Sequence, residues 1–417
     1  MSSGLIRNAN FAKLFSAQVI SLAGSGVTTV ALALYVHQLA GAAAATVVLG
    51  QALMLRIVAF LVFSQPAGIL ADRMRRKRIL VFTDLARAAL IGLFPFITTI
   101  WQVYLAVFAV NALTAFFTPA YEASLPEVAG EENYVQALSY SRVAVDVEGI
   151  AGPALAGILI AFMSVRWVFW FDAFTYLVSA ALVLDVQMPA AATKPTAQTH
   201  RFFRELTYGT RLLVRNASIR QALLLSLAEA LAGACAIVAT VAYVKDVLHR
   251  TETEFSIVMA CVGLGSAVMA VVLGRLTRDA PANEELHSYR HRWAMSSLLV
   301  GGVILSLSVL PGIMRPPLIV FGLLWVLNGA GQALVAIPSS TLVAIHTTNE
   351  ERGRAFAAHF AITHAWWLVA YPVVGWLAAS IGSPRTFTLC GVLCALIAVA
   401  GWCMGTRSSI KTAMVHQ

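Results

Sequence analysis

Long runs of apolar residues dominate the chain, and short polar connections interrupt them. A helix needs roughly 20 consecutive apolar residues to cross a bilayer, and the runs are of this length or somewhat longer. We expect twelve helices, at residues 11–39, 45–70, 79–98, 102–120, 136–162, 166–185, 219–245, 255–275, 292–311, 316–343, 352–380 and 384–405. The pattern predicts an all-α polytopic membrane protein.

The longest polar stretch separates the sixth expected helix from the seventh. It is basic, with cations at Lys194, Arg201, Arg204, Arg211 and Arg215. We divide the chain into an N-terminal six-helix half (1–186), a cytoplasmic linker (187–218) and a C-terminal six-helix half (219–417). Most Lys and Arg residues fall at the termini and in the even-numbered connections, so the positive-inside rule predicts that both termini are cytoplasmic.

Composition supports the membrane interpretation. Apolar residues make up 59% of the chain and charged residues 12%, whereas soluble domains carry about 25% charged residues. This balance excludes a soluble enzyme. The net charge of +9 comes from cations spread over the loops between the helices, so no nucleic-acid partner is expected. The five cysteines lie in apolar stretches and indicate no disulfide framework. Phosphate-binding loops and nucleophile motifs are absent, so we expect neither an enzyme nor a cofactor.

Two motifs resemble signatures of the major facilitator superfamily. After the second span the chain reads Gly68-Ile-Leu-Ala-Asp72-Arg73-Met-Arg75-Arg76-Lys77-Arg78. This resembles the loop signature G-x-L-a-D-r-x-G-r-k, with Arg75 where the signature has glycine. The fifth span contains Gly149-Ile-Ala-Gly152-Pro153, which is similar to a Gly-Pro element of the family's proton-coupled exporters. The resemblance implies twelve helices in two six-helix halves.

Three shorter segments resemble particular branches of that family. The loop Pro119-Ala-Tyr-Glu122-Ala-Ser-Leu-Pro126-Glu127 and the run Phe171-Asp172-Ala-Phe-Thr-Tyr resemble macrolide and siderophore exporters. The segment from Gly353 to Trp367 looks like nickel-resistance permeases. The resemblance implies a proton-coupled exporter of the inner membrane, with the lipid bilayer, protons and a substrate as partners and no obligate protein partner.

The sequence is compatible with two classes of substrate and with a third function that involves no transport. Our main expectation is a transition-metal cation such as nickel or cobalt, and the alternative is an amphipathic organic molecule such as a siderophore or drug. A receptor or scaffold that transports nothing is the third reading. The histidines and an isolated carboxylate favour a metal cation as the substrate, whereas the aromatic content of 10% favours an organic molecule.

The loop signature implies a gating role for a group of charged and small residues. In the family, the aspartate at the position of Asp72 lies against the N-terminus of the eleventh helix, where the helix dipole favours an anion. Asp84 with Arg87, and Arg142 with Asp146, have helical spacing and are expected to form local ion pairs. The gating set is Gly68, Asp72, Arg73, Arg76, Lys77, Asp84, Arg87, Arg142, Gly152 and Pro153.

Charged residues inside spans are costly and usually face a cavity or a partner. Glu229 has no cation within a helical turn on its own segment, so it is our first candidate for proton coupling, followed by Asp146 and Glu148. A carboxylate hydrogen-bonded within its half is the competing interpretation of Glu229. We expect Asp172 to be structural, and Arg56 has no evident local partner.

Two histidines in the eleventh span could take protons or ligate a metal. His359 and His364 are five residues apart, about 140° around a helix, so a metal would need a group from another helix as well. His364 shares a stripe with Trp367 and Tyr371, for which helix packing is the competing explanation. Further substrate candidates are Asn111, Asn328 and Gln332, each of which could instead form a helix–helix hydrogen bond.

Overall fold

The computed structural model describes residues 4–130, 133–188, 202–278, 285–348 and 351–415. Within these ranges the chain is helical and contains no β-strand. The helices are α1 Gly4–Arg7, α2 Ala9–Arg73, α3 Arg76–Gly92, α4 Ile100–Ala129, α5 Tyr134–Phe162, α6 Val165–Asp185, α7 Phe202–Arg215, α8 Ala217–Ala234, α9 Thr240–Ala242, α10 Glu252–Arg278, α11 Glu285–Val309, α12 Leu318–Ile345, α13 Arg352–Ile381 and α14 Ser383–Val415. The expected all-α membrane architecture is confirmed.

Ten helices of the described part are long and apolar enough to cross a membrane. One of them, Ala9–Ser64, has 56 residues, more than twice the roughly 20 that one crossing needs, and consists of two helices that meet at a kink. Gly41 interrupts this helix with a φ of +72°, a conformation that glycine adopts without steric cost. A break at one glycine therefore replaces the expected loop at 41–44, and the count of twelve spans stays a prediction.

The chain divides into two compact units. The first contains Met1–Ala197 together with Arg250–Ala260, and the second contains Gln198–His249 and Cys261–Gln417. In the first unit α2 packs against α4, α5 and α6, and in the second α8 packs against α11, α12, α13 and α14. Part of the expected linker forms α7, and its residues 189–201 lie outside the described ranges.

Helix α8 begins at an asparagine and continues past its α-helical part. The side chain of Asn216 accepts hydrogen bonds from the backbone N–H groups of Ser218 and Ile219, at 2.9 and 3.1 Å, which is a typical N-cap. Beyond Ala234, two π-helical segments, Cys235–Ala239 and Tyr243–Val247, flank the single turn α9. One span of this unit therefore departs twice from α-helical geometry.

Helix α7 is attached to the start of α13. The hydroxyl of Tyr208 donates a hydrogen bond of 2.6 Å to Glu351 Oε1, and the guanidinium carbon of Arg354 lies 4.5 Å from the Tyr208 ring centroid. At Gly209 an added Cβ would lie 2.4 Å from the Arg354 carbonyl oxygen. Helix α7 thus packs directly on the backbone of α13, within the second unit.

We expect Tyr208→Phe to loosen α7. The Tyr208 hydroxyl lowers the pKa of Glu351, so the contact is fully present above the ordinary glutamate pKa and is lost as the pH falls through the lowered value. Hydrogen–deuterium exchange in α7 should be faster in the variant at pH 7, and the difference should disappear in acid. Tyr289→Phe removes an exposed hydroxyl elsewhere and serves as the control; equal exchange in wild type and Tyr208→Phe at pH 7 would contradict the prediction.

Candidate functional site

A cavity of about 700 Å³ lies within the first unit. Residues from α2, α3, α4, α5 and α6 line it, and their side chains include aliphatic, aromatic, hydroxyl, amide and charged groups. The aromatic members are Phe60, Phe94, Phe117, Tyr121 and Tyr176, and the charged members are Arg56, Arg87, Glu122, Glu148 and Asp172. A volume between 300 and 1,000 Å³ is typical of sites for drug-sized molecules.

Arg87 and Asp84 form the expected local ion pair, and the pair is buried. An Arg87 Nη2 atom contacts Asp84 Oδ1, and Ser179 donates a hydrogen bond of 2.7 Å to Asp84 Oδ2. The Arg87 guanidinium carbon lies 4.4 Å from the ring centroids of both Phe117 and Tyr176. Ion pairing and cation–π contacts thus fix Arg87 at the cavity wall.

Asp172 is fully buried at the cavity and its oxygens are occupied. Thr28 donates to Oδ2 at 2.5 Å and Thr175 donates to Oδ1 at 3.3 Å. The contact needs Gly24 on α2, because an added Cβ there would lie 2.3 Å from Asp172 Oδ1. The structural role expected for Asp172 agrees with these bonds, although the residue also lines the cavity.

Arg56 on α2 and Glu148 on α5 are two further charged residues of the cavity lining. They are close enough to interact electrostatically, but within the described part of the chain neither forms a hydrogen bond or an ion pair within 4.0 Å. Glu148 lies beside Gly26 of α2, whose added Cβ would be 3.2 Å from the Glu148 Cγ. The sequence offered no partner for Arg56, because Glu148 lies on a different helix.

The Gly-Pro element of α5 is a close helix crossing. An added Cβ on Gly152 would lie 2.5 Å from the Cα of Gly26 on α2, and an added Cβ on Gly26 would lie 2.7 Å from the Cα of Gly152. Pro153 follows inside the helix and is buried. The backbones of α2 and α5 therefore touch at this point, beside Glu148.

We expect Gly152→Ala to destabilise the protein by about 1–3 kcal/mol, the usual cost of overpacking. Alanine is about 1 kcal/mol better than glycine inside a helix, so a net loss can come only from the crossing. The measurement is the thermal unfolding midpoint in detergent. Gly68→Ala is the matched control, since an added Cβ at Gly68 meets nothing within 4 Å; a Gly152→Ala variant as stable as this control would contradict the prediction.

The loop signature is held by contacts within the first unit. Arg76 Nη1 donates to Glu127 Oε1 at 2.5 Å and to the Ala123 carbonyl at 2.7 Å, and Lys77 Nζ donates to the Val186 carbonyl at 2.9 Å. Four gating or coupling candidates have side chains outside the described part, namely Asp72, Arg73, Arg142 and Asp146. Their expected roles stay predictions.

Glu229 lies on α8 in the second unit and is partly buried. Among the described residues no donor or cation lies within bonding distance of its carboxylate. One turn further, an added Cβ on Gly233 would lie 2.2 Å from the Trp367 ring, so this ring of α13 packs directly on the α8 backbone there. Within the described residues Glu229 has no hydrogen-bonded partner, in contrast to Asp84 and Asp172.

The amide candidates are engaged in hydrogen bonds between and within helices. Asn328 Nδ2 donates to Ser308 Oγ at 3.0 Å, and Gln332 Nε2 donates to Asn328 Oδ1 at 2.7 Å. Asn111 lines the first-unit cavity, but its Nδ2 donates to the Val107 carbonyl at 2.7 Å. Hydrogen bonds between and within helices therefore occupy the Asn328 side chain, and they use part of the hydrogen-bonding capacity of Gln332 and Asn111.

The histidines of α13 do not form a metal centre in the described part of the chain, where no group of three His, Cys, Asp or Glu side chains could hold an ion. His359 Nε2 lies 2.7 Å from Ser339 Oγ. His364 Nδ1 lies 2.9 Å from the Phe360 carbonyl, and its ring stacks on Phe360 at 3.6 Å. Trp367 and Tyr371 contact one another at 5.2 Å, as the expected stripe implies.

Comparisons with known proteins give a consistent picture. A model of the Major Facilitator Superfamily matches residues 14–279 and 222–412. The chain is 25% identical over 339 residues to the uncharacterized MFS-type transporter YfiS of Bacillus subtilis, which spans 81% of this chain and 79% of that protein.

Two further relatives have names that state what they export. Macrolide efflux protein A of Streptococcus pyogenes is 26% identical over 211 residues, covering 49% of this chain and 51% of that protein. Enterobactin exporter EntS of Shigella boydii is 24% identical over 283 residues, covering 65% and 64%.

Solved structures share the fold. The nucleoside transporter NupG has a TM-score of 0.73 and 12% identity, with 95% of this chain and 98% of that chain covered. An inward-facing bacterial homolog of the lysosomal transporter Spinster has a TM-score of 0.71 and 14% identity, with 97% and 98% covered.

Proposed function

Because this chain belongs to the Major Facilitator Superfamily, we propose that it is a proton-coupled exporter of an amphipathic organic molecule in a bacterial inner membrane. The observation that carries the proposal is the first-unit cavity, which has the volume of a drug-sized site and walls of mixed aromatic and charged character. The names of the macrolide and enterobactin exporters support the direction and the substrate class.

A metal cation is less well supported as the substrate than our sequence-based expectation held. Nickel and cobalt need several nitrogen, oxygen or sulfur ligands at one point, and the described residues offer no group of three. His359 and His364 have local partners in Ser339 and Phe360. We therefore propose export of an organic substrate, and the experiment below also tests nickel and cobalt.

Proton coupling is assigned to Glu229, with Glu148 as a second carrier. Neither carboxylate forms a hydrogen bond or an ion pair within the described part of the chain, so each can gain and lose a proton without breaking such a contact. Asp172 accepts two hydrogen bonds and is less suited to the task. We place both termini in the cytoplasm, as the distribution of cations predicts.

The test uses the full-length protein in liposomes that contain a pH-sensitive dye. Addition of a transported substrate outside should drive protons out and raise the internal pH. We expect this response with amphipathic antibiotics or siderophores and none with nickel or cobalt. A response to the metals alone would reinstate metal efflux. No response to any compound, together with no uptake of labelled compound, would favour a receptor or scaffold over a transporter.

A further inference from the structure

Arg56 and Glu148 present two opposite charges to one cavity, and neither forms a hydrogen bond or an ion pair within 4.0 Å with another described residue. The other charges whose partners are defined are neutralised or bonded locally: Arg87 pairs with Asp84, and Asp172 accepts from two threonines. Arg56 and Glu148 interact electrostatically, yet no nitrogen of the guanidinium lies within 4.0 Å of a Glu148 oxygen. The two side chains therefore do not form a direct ion pair with one another.

An unmatched charge in a partly buried position is unfavourable unless water or a ligand supplies its counterpart. A guanidinium presents a fork of N–H donors that fits a carboxylate or another acidic oxygen pair. A carboxylate accepts hydrogen bonds from a protonated amine or iminium group. A ligand with both kinds of group would satisfy Arg56 and Glu148 at the same time.

The rest of the lining fits a flat organic body. Phe60 lies one helical turn from Arg56 on α2, and Phe94 and Phe117 also line the cavity. Hydroxyl groups from Ser25, Thr28 and neighbouring residues lie on the α2 side. The cavity thus combines an aromatic surface with a cation and an anion, Arg56 and Glu148, that are not in direct contact with one another.

We propose that the first-unit cavity binds an amphoteric aromatic molecule, whose acidic group contacts Arg56 and whose basic group contacts Glu148. The inference rests on the proposed function and narrows its substrate class. A purely cationic or purely anionic amphiphile leaves one of the two protein charges without a counterpart and binds more weakly.

Three xanthene dyes of similar size test this assignment. Rhodamine 110 carries both a carboxylate and a cationic xanthylium, rhodamine 123 is its cationic methyl ester, and fluorescein carries acidic groups only. Binding to the purified full-length protein is measured by fluorescence polarisation. We expect rhodamine 110 to bind roughly tenfold more tightly than either other dye, a difference of about 1.4 kcal/mol, because each of the other dyes lacks one of the two charged contacts.

Two substitutions should remove the preference in opposite ways. Arg56→Gln is expected to weaken rhodamine 110 to the level of rhodamine 123, whereas Glu148→Gln should weaken it to the level of fluorescein. Arg56→Lys and Glu148→Asp retain the charges and should keep most of the preference, which separates lost recognition from lost folding. Lys13→Gln, which removes a cation paired with Asp185 outside the cavity, should leave the binding of all three dyes unchanged.

The outcomes separate the inference from the function. If rhodamine 123 binds as tightly as rhodamine 110 and Arg56→Gln changes neither, the amphoteric assignment is wrong while export of an organic substrate stands. If none of the dyes binds, the assignment is likewise wrong. If rhodamine 110 is preferred but no compound is transported or moves protons in liposomes, the assignment stands and the proposed function is wrong.

Discussion

Glu229→Gln is expected to abolish the rise in internal pH that a transported substrate causes in proteoliposomes. Glutamine keeps the size of the side chain but cannot carry a proton, and within the described residues the carboxylate that it replaces has no hydrogen bond to lose. The folded structure should therefore persist while coupling disappears. Substrate uptake without a proton response is the expected signature, measured with the same dye-loaded liposomes.

Glu254→Gln is a matched control for the removal of a carboxylate. Glu254 lies near the start of α10, where it bonds to Thr251 and pairs with Arg250. We expect its substitution to leave the proton response intact. A full response in Glu229→Gln would show that the proton is carried elsewhere, and the same measurement on Glu148→Gln would then decide whether the first-unit cavity carries it.

Asp84→Asn is expected to lower the free energy of unfolding by about 3–5 kcal/mol, because the substitution leaves a buried guanidinium without its counter-ion. Asp84 is fully buried and Arg87 is 3% exposed, so water cannot easily replace the lost partner. The measurement is the unfolding midpoint in detergent, by heat and by added sodium dodecyl sulfate.

The double variant Asp84→Leu with Arg87→Met distinguishes the ion pair from simple crowding. It removes both charges, and the methionine can still pack between Phe117 and Tyr176. Replacing a buried pair with apolar residues is often neutral, so we expect the double variant to be more stable than Asp84→Asn. The reverse order, or an Asp84→Asn variant as stable as the wild type, would show that the pair contributes little.

The sequence predicted most of the helices well because length and apolar composition decide what can cross a bilayer. The expected spans 136–162 and 166–185 correspond to Tyr134–Phe162 and Val165–Asp185. The expected connection at 41–44 is shorter in the structure, where two helices meet at Gly41, and the difference has a physical reason. The alanines of that connection favour a helix, and the change of direction needs only one residue, Gly41, with a positive φ.

The candidate site was less predictable, because its contacts join residues far apart in the sequence. Arg87 with Asp84 could be predicted because both lie on one helix. Arg56 and Glu148 lie on α2 and α5, so no local spacing could pair them. The histidines illustrate the opposite error: their side chains are chemically suited to metals, but Ser339 and the Phe360 carbonyl occupy hydrogen-bonding positions.

The two π-helical segments after α8 have a consequence for comparing this chain with its relatives. A π-helical segment has backbone hydrogen bonds from i to i+5 and so contains one residue more than the α-helical pattern would, as the bond of 2.9 Å from the Leu248 backbone N–H to the Tyr243 carbonyl illustrates. A relative that is α-helical throughout this span should align with a one-residue gap in each π segment. Without those gaps, Tyr243, which bonds to Gly312, would be matched to residues on the wrong side of the helix.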